Sequence, residues 1–362
     1  MDKKIKSILG SITVIAIVAS LMTVGTQSFF SDIETSTGNT FTAGIIDLTV
    51  NGENPLESAV VTIDDMKPCN VFYIEKKLRI SGNPADVWLH IKDIVCGQGV
   101  QTEPEIEEEL QMAGGVANDA GKYDIDNYIT YDLKIGWDKN GDGEITKDEY
   151  EIIFYPDDHI KFGWLECMWI PLGYEMPPDV DIIVNQSFHM QAEVTNWAQG
   201  DTCTFTEEFF ANQITAPDPA NVLLILENKD DNWNPIYGDG VWGLLAYNPA
   251  GSTFDYQFMA RGLQPNTGYS LIYFADTWPG NHPGALIAAF TSDASGMIAL
   301  TAGSTDLNMD LPDPSDANYP IGAKIWLVLS SDYDIATYSM TAFQMSKYLF
   351  EHNLITYDDT DV

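Results

Sequence analysis

Basic side chains are scarce in this 362-residue chain: 17 lysines and arginines stand against 54 aspartates and glutamates, a formal charge of −37. A surface that negative repels phosphate backbones and anionic headgroups, so nucleic acids and anionic membrane surfaces are excluded as partners. Histidine is also sparse. His90, His159, His189, His282 and His352 are scattered, with no HExxH and no paired-histidine spacing. The four cysteines, Cys69, Cys96, Cys167 and Cys203, include no CxxC pair, so zinc-ribbon spacing is missing. Neither a G-x-S-x-G elbow nor a glycine-rich phosphate loop occurs. These absences leave no catalytic residue to assign, and the chain reads as a non-enzyme.

What the chain has is apolar mass. At 45% hydrophobic residues it can build cores, so global disorder is excluded. The acidity suits a soluble or cell-surface protein in a salty or divalent-rich medium, where cations screen self-repulsion. A salt-loving host would select the same composition.

Lys3, Lys4 and Lys6 precede an apolar run over 8–24, on the border between a signal-peptide core and a spanning helix. Small, polar residues follow, and Thr26 and Ser28 fit the −3 and −1 subsites of a signal peptidase. Residues 1–28 are therefore expected to be a cleaved signal helix, with an uncleaved anchor as the alternative; only then would the chain touch a membrane. An even cysteine count in an exported chain favours two disulfides, with three possible pairings, against four buried thiols.

Downstream, Phe30-Ser31-Asp32 and Asn39-Thr40-Phe41-Thr42-Ala43-Gly44-Ile45-Ile46-Asp47-Leu48 lead into Val60-Val61-Thr62-Ile63-Asp64-Asp65-Met66-Lys67-Pro68. Val87-Trp88-Leu89-His90-Ile91 and the run over 188–194 follow. Together they resemble the TasA/camelysin family over about 1–212, although Cys69 stands where that family has glycine. The resemblance implies a dedicated signal peptidase of the SipW type and a secreted, cell-surface subunit of a biofilm-matrix or pilus-like fibre. It also implies self-association by strand addition through residues 29–41. Camelysin members are described as metalloendopeptidases, which supplies the alternative of a peptidase.

The expected fold class is all-β, with two antiparallel β-sandwiches after the signal helix. The first, jelly-roll-like, spans 29–214 and carries an acidic insertion over 98–126, with a helix at 103–112. A proline-rich linker, 215–221, leads to an Ig- or fibronectin-III-like sandwich over 222–362. In the first unit, strand alternation sets Val87, Leu89 and Ile91 against Trp88, His90 and Lys92. It likewise sets Phe188, Met190, Ala192 and Val194 against His189, Gln191 and Glu193, with His90 and His189 facing solvent. In the second unit, short apolar runs lie at 222–226, 241–246, 253–259, 269–274, 285–290, 297–300 and 325–329. The turn over 263–271 resembles the start of a fibronectin-III strand. The final stretch, 341–354, is a terminal helix or strand, too short and polar to anchor in a bilayer.

One motif carries chemistry. From Asp138 to Glu149 the chain reads DKNGDGEITKDE. Oxygen ligands fall at loop positions 1, 3 and 5 (Asp138, Asn140, Asp142), glycine at 6 (Gly143), an apolar residue at 8 (Ile145) and glutamate at 12 (Glu149). Glu144 would offer its carbonyl and Thr146 an oxygen directly or through water. That is the pattern of an EF-hand-type Ca2+ loop, because calcium takes six to eight hard oxygens and glycine allows the sharp turn. The flanks read as strands, so the expectation is a calcium-clamped connection within a β-domain. Trp233, Tyr237, Trp242, Tyr247, Tyr256, Tyr273 and Trp278 offer a further alternative, a monomeric adhesin stacking sugars, against simple core packing. Asn185-Gln186-Ser187 is a glycosylation sequon placed just before a strand.

Overall fold

The computed structural model describes residues 46–54, 59–63, 70–97, 103–112, 125–192, 194–198, 200–214, 218–281 and 284–362. The signal segment, residues 29–41, Cys69, His282 and most of the 98–126 insertion lie outside the described residues. The protein is mostly β, with one α-helix among the described residues, Glu103–Met112 (α1), where the sequence places it. Residues Ile46–Val362 form one compact unit.

Its first nine strands are β1 (Ile46–Val50), β2 (Ala59–Ile63), β3 (Val71–Gly82), β4 (Ala85–Gly97), β5 (Ile129–Trp137), β6 (Tyr150–Phe154), β7 (Met168–Met176), β8 (Asp181–Met190) and β9 (Thr202–Gln213). They form two antiparallel arrays: a five-stranded sheet in the order β1-β3-β8-β5-β6, and the β7-β4-β9-β2 end of a twelve-stranded sheet. Period-two alternation drives their packing. Along β8 every second residue from Ile182 to Met190 is buried. On β4, Val87, Leu89 and Ile91 enter the same core. Phe188 stands near its centre, with ring centroids 5.1 Å from Tyr131, 5.1 Å from Phe162 and 5.4 Å from Phe205.

The remaining strands are β10 (Val222–Glu227), β11 (Trp242–Tyr247), β12 (Ala250–Gly251), β13 (Phe254–Arg261), β14 (Gly268–Phe274), β15 (Ala285–Thr291), β16 (Ile298–Thr305), β17 (Lys324–Leu329), β18 (Tyr333–Asp334), β19 (Ser339–Met340), β20 (Leu349–Glu351) and β21 (Asp358–Asp359). β10 pairs in parallel with β7 at Val222–Trp169 and antiparallel with β11 and β20, so the twelve-stranded sheet continues through it. Its side chains alternate between two cores. Leu223 joins the first cluster, while Val222, Leu224 and Leu226 join the second. β11 does the same, with Trp242, Leu244 and Ala246 against Leu245 and Tyr247. Burial on both faces explains why these strands read as unbroken apolar runs.

Two expected faces differ from the sequence reading. Trp88 is fully buried in the second core and meets Tyr174 edge-on at 5.5 Å. His90 is only partly exposed, because it stacks on Trp169 at 4.3 Å and bonds Glu208 at 3.2 Å. The alternation of β4 holds; its second face is covered and not solvated. The turn at 263–271 feeds a buried core tyrosine: the Tyr269 hydroxyl accepts from the Gln264 N–H at 3.0 Å, with Asn266 in the left-handed region at φ 51°. Only Leu349–Glu351 of the 341–354 stretch is strand.

Candidate functional sites

The 138–149 loop joins β5 to β6, as the sequence indicates. Gly141 and Gly143 sit at φ 79° and 88°, which side chains seldom tolerate. A side chain at Gly136, just before the loop, would collide with Tyr150 at 2.7 Å, so glycine lets the two stems close. Asp138 accepts from the amides of Gly141 at 2.6 Å, Asp142 at 3.1 Å and Gly143 at 2.7 Å. Asn140 accepts from Asp142 N–H, and Asp142 from Glu144 N–H. Glu149 is buried and closes the loop: Oε1 takes the amides of Lys139 and Asn140, and Oε2 takes the amide and hydroxyl of Thr146. The Thr146 amide first, with the Thr146 hydroxyl and the Asn140 and Lys139 amides, holds the Glu149 carboxyl below the ordinary glutamate range.

The donor set is all oxygen and suits a hard cation. The side chains at positions 1, 3, 5 and 12 currently spend their oxygens on the loop's own amides. Among the described residues no group of three or more His, Cys, Asp and Glu side chains is disposed to hold a metal ion. Cation binding would exchange amide hydrogen bonds for ligand bonds.

Among the described histidines, His159 and His189 line one cleft, and His90 and His352 stand elsewhere. His352 bonds Glu227 at 3.1 Å and lies 3.6 Å from Glu151, beside a cavity of about 260 Å³ that Trp137 and Tyr174 also line. Burial lowers its pKa, but Glu151 and Glu227 outweigh burial and raise it to about 9. His189 remains on the outer face of β8, as expected, and contacts Asp132 through Nε2. Ser187 donates to the same Asp132 oxygen at 2.9 Å and lies 3.2 Å from His189 Nε2. This trio is not wired as a nucleophilic triad, because the serine proton goes to the carboxylate and leaves the imidazole no proton to take. Asn185 falls within β8, between β3 and β5, and not before a strand.

Cys96 and Cys203 face each other across β4 and β9 and are joined as a disulfide. Cys167 is a free, exposed thiol whose pKa burial raises first and neighbouring Glu166 further. The aromatic set divides: Trp242, Tyr247 and Tyr273 are buried, whereas Trp233, Tyr237 and Trp278 are exposed. Sequence reasoning gave no sign of Phe343, which lies 6.0 Å from both Trp233 and Trp278.

Residues 3–218 match the family model described as Camelysin metallo-endopeptidase. The chain belongs to that family. The match begins at residue 3, covers the first core and the 138–149 loop, and stops just before β10, so the resemblance drawn from the N-terminal motifs is established. No curated protein matches the chain.

Proposed function

We propose that this camelysin-family chain is an exported structural protein that polymerises at the cell surface by strand addition, with calcium clamping its 138–149 loop. The observation that carries the reading is the pair of sheet edges formed by the first two described strands. Among the described residues β1 pairs only with β3, and β2 only with β9, so each offers one row of backbone groups with no described partner. A strand supplied by a second copy, residues 29–41 with Phe29, Phe30, Ile33 and Phe41, would satisfy such an edge. Calcium would neutralise part of the acidic surface and fix the β5–β6 connection.

The test is to delete residues 29–39 from the exported chain and image both proteins by electron microscopy. The truncated chain should remain folded, because the first core draws on strands from Ile46 onward, yet form no fibres. Fibres from the truncated chain, or a wild type that stays monomeric at every calcium level, would sink the proposal.

The family description favours one second reading, a metal-dependent peptidase. Zinc content and casein cleavage by the purified chain discriminate: stoichiometric zinc with cleavage supports the peptidase, and neither supports the structural role.

A further inference from the structure

Among the described basic side chains that form no ion pair, two converge on one ring. Lys76, Lys77, Arg79, Lys92 and Lys324 all pair with carboxylates. Lys161 and Arg261 form no ion pair with a described carboxylate. Instead both lie against one indole, with Lys161 Nζ 5.8 Å and the Arg261 guanidinium 5.9 Å from the Trp164 ring. They line one cleft of about 630 Å³, together with His159, His189 and Thr130. That volume falls within the 300–1,000 Å³ typical of ligand sites.

The cleft is assembled from distant segments. Lys161 is tied to the margin of the five-stranded sheet by a bridge to Thr130, and Thr130 is in register with His189 on β8. Asp132 contacts His189 Nε2. Arg261, at the end of β13, reaches the same cleft from the second half of the chain. The acid on the rim, Asp157, packs over Gly238, where an added Cβ would lie 3.2 Å from its oxygen, and forms no ion pair with either cation.

We propose that this cleft is a carboxylate-binding site, in which Lys161 and Arg261 take the anionic oxygens. A guanidinium presents a planar fork that matches a carboxylate, and an ammonium adds a point charge. Against a formal charge of −37, two cations converging on one cleft without a described acid make a place where an acidic partner can approach. The carboxylate can come from a small dicarboxylate or from an acidic peptide segment, and the test separates them.

Full-length protein is titrated with succinate, with acetylated tetraglutamate and with inorganic phosphate, each against sodium chloride of equal ionic strength. Indole N–H resonances and melting temperature are read. Succinate or tetraglutamate should produce a saturable shift of the Trp164 resonance beyond the chloride control. Lys161→Gln/Arg261→Gln should weaken that binding at least 10-fold, and Lys161→Arg/Arg261→Lys should retain most of it, with matched circular dichroism showing that both fold. Binding of tetraglutamate alone identifies a polypeptide source, and full binding of succinate a small-molecule source. The proposal is overturned by a response no larger than chloride, by binding of phosphate alone, or by a double variant that binds as wild type does.

Discussion

In the 138–149 loop the Asp138, Asn140, Asp142 and Glu149 side chains belong to one short stretch and accept from that stretch's own amides. The Lys161–Arg261 cleft gathers its groups from β5, β8, the 156–161 crossing and the end of β13, and its cations find no acid. The loop is local, acidic and self-satisfied; the cleft is non-local, basic and unsatisfied. The difference teaches that the loop can keep its shape with little help from the cores, whereas the cleft exists only while the cores hold four segments together.

The largest effect should come from the core under the cleft. Phe188 lies between Ser187 and His189 on β8 and packs on Tyr131, Phe162 and Phe205. Phe188→Ala removes that ring and leaves a cavity, so a loss of about 3–5 kcal/mol is expected. Urea unfolding should show a lower midpoint with an unchanged slope. A shift below about 1 kcal/mol would mean that the aromatic cluster does not hold the cleft.

Next comes the loop. If calcium binds the folded loop alone, a concentration about 100-fold above Kd stabilises the chain by roughly 2.7 kcal/mol. Chelation should therefore lower the wild-type melting temperature, and Asp138→Ala or Glu149→Ala should abolish the difference. Equal melting of the wild type with calcium and with chelator would reduce the loop to a hydrogen-bonded turn with no ligand role.

The same contrast governs what could be read in the sequence. The loop was legible because its spacing is contiguous, and α1 and the alternation of β4 and β8 were legible for the same local reason. β7 was not, because Pro171 and Gly173 interrupt it. They are tolerated where the β4–β7 register slips at Val87 and Trp88, a bulge that no residue in β7 announces. β3 hides behind Lys76, Lys77 and Arg79, although Lys76 turns toward the fully buried Glu207 and Leu78 and Ile80 enter the core. The alternation that ran on to Val194 ends as strand at Met190, because Gln191 turns to bond Tyr128 and Val194 is buried by the turn that follows. For the cleft no local signal exists: Lys161 and Arg261 are 100 positions apart in the sequence, and only the pairing of β5 with β8 and the packing of the second half bring them to one indole.

The smallest effect is also the sharpest, because loop and cleft should answer acid with opposite signs. Hydrogen bonds hold the Glu149 carboxyl below its ordinary value of 4.5. A folded pKa below the unfolded one contributes stability that is full above about 4.5 and is lost as pH falls through the folded value. Asp132 behaves the other way. Burial raises its carboxyl above 3.8, more than His189 and Ser187 lower it, and its Oδ1 is buried without a hydrogen bond. Its ionisation therefore opposes folding increasingly as pH rises above 3.8 toward the folded value, and protonation relieves that cost. Glu149→Gln should flatten the fall in stability below pH 4.5, whereas Asp132→Asn should steepen the fall just above pH 4, since the compensating protonation is gone. Thermal melts of the wild type and both variants from pH 7 to pH 3, in chelator so that calcium does not intervene, measure the two slopes directly. Slopes that change in the same direction would show that both carboxyls answer to the global charge of the chain and not to the amides of the loop and the burial of Asp132.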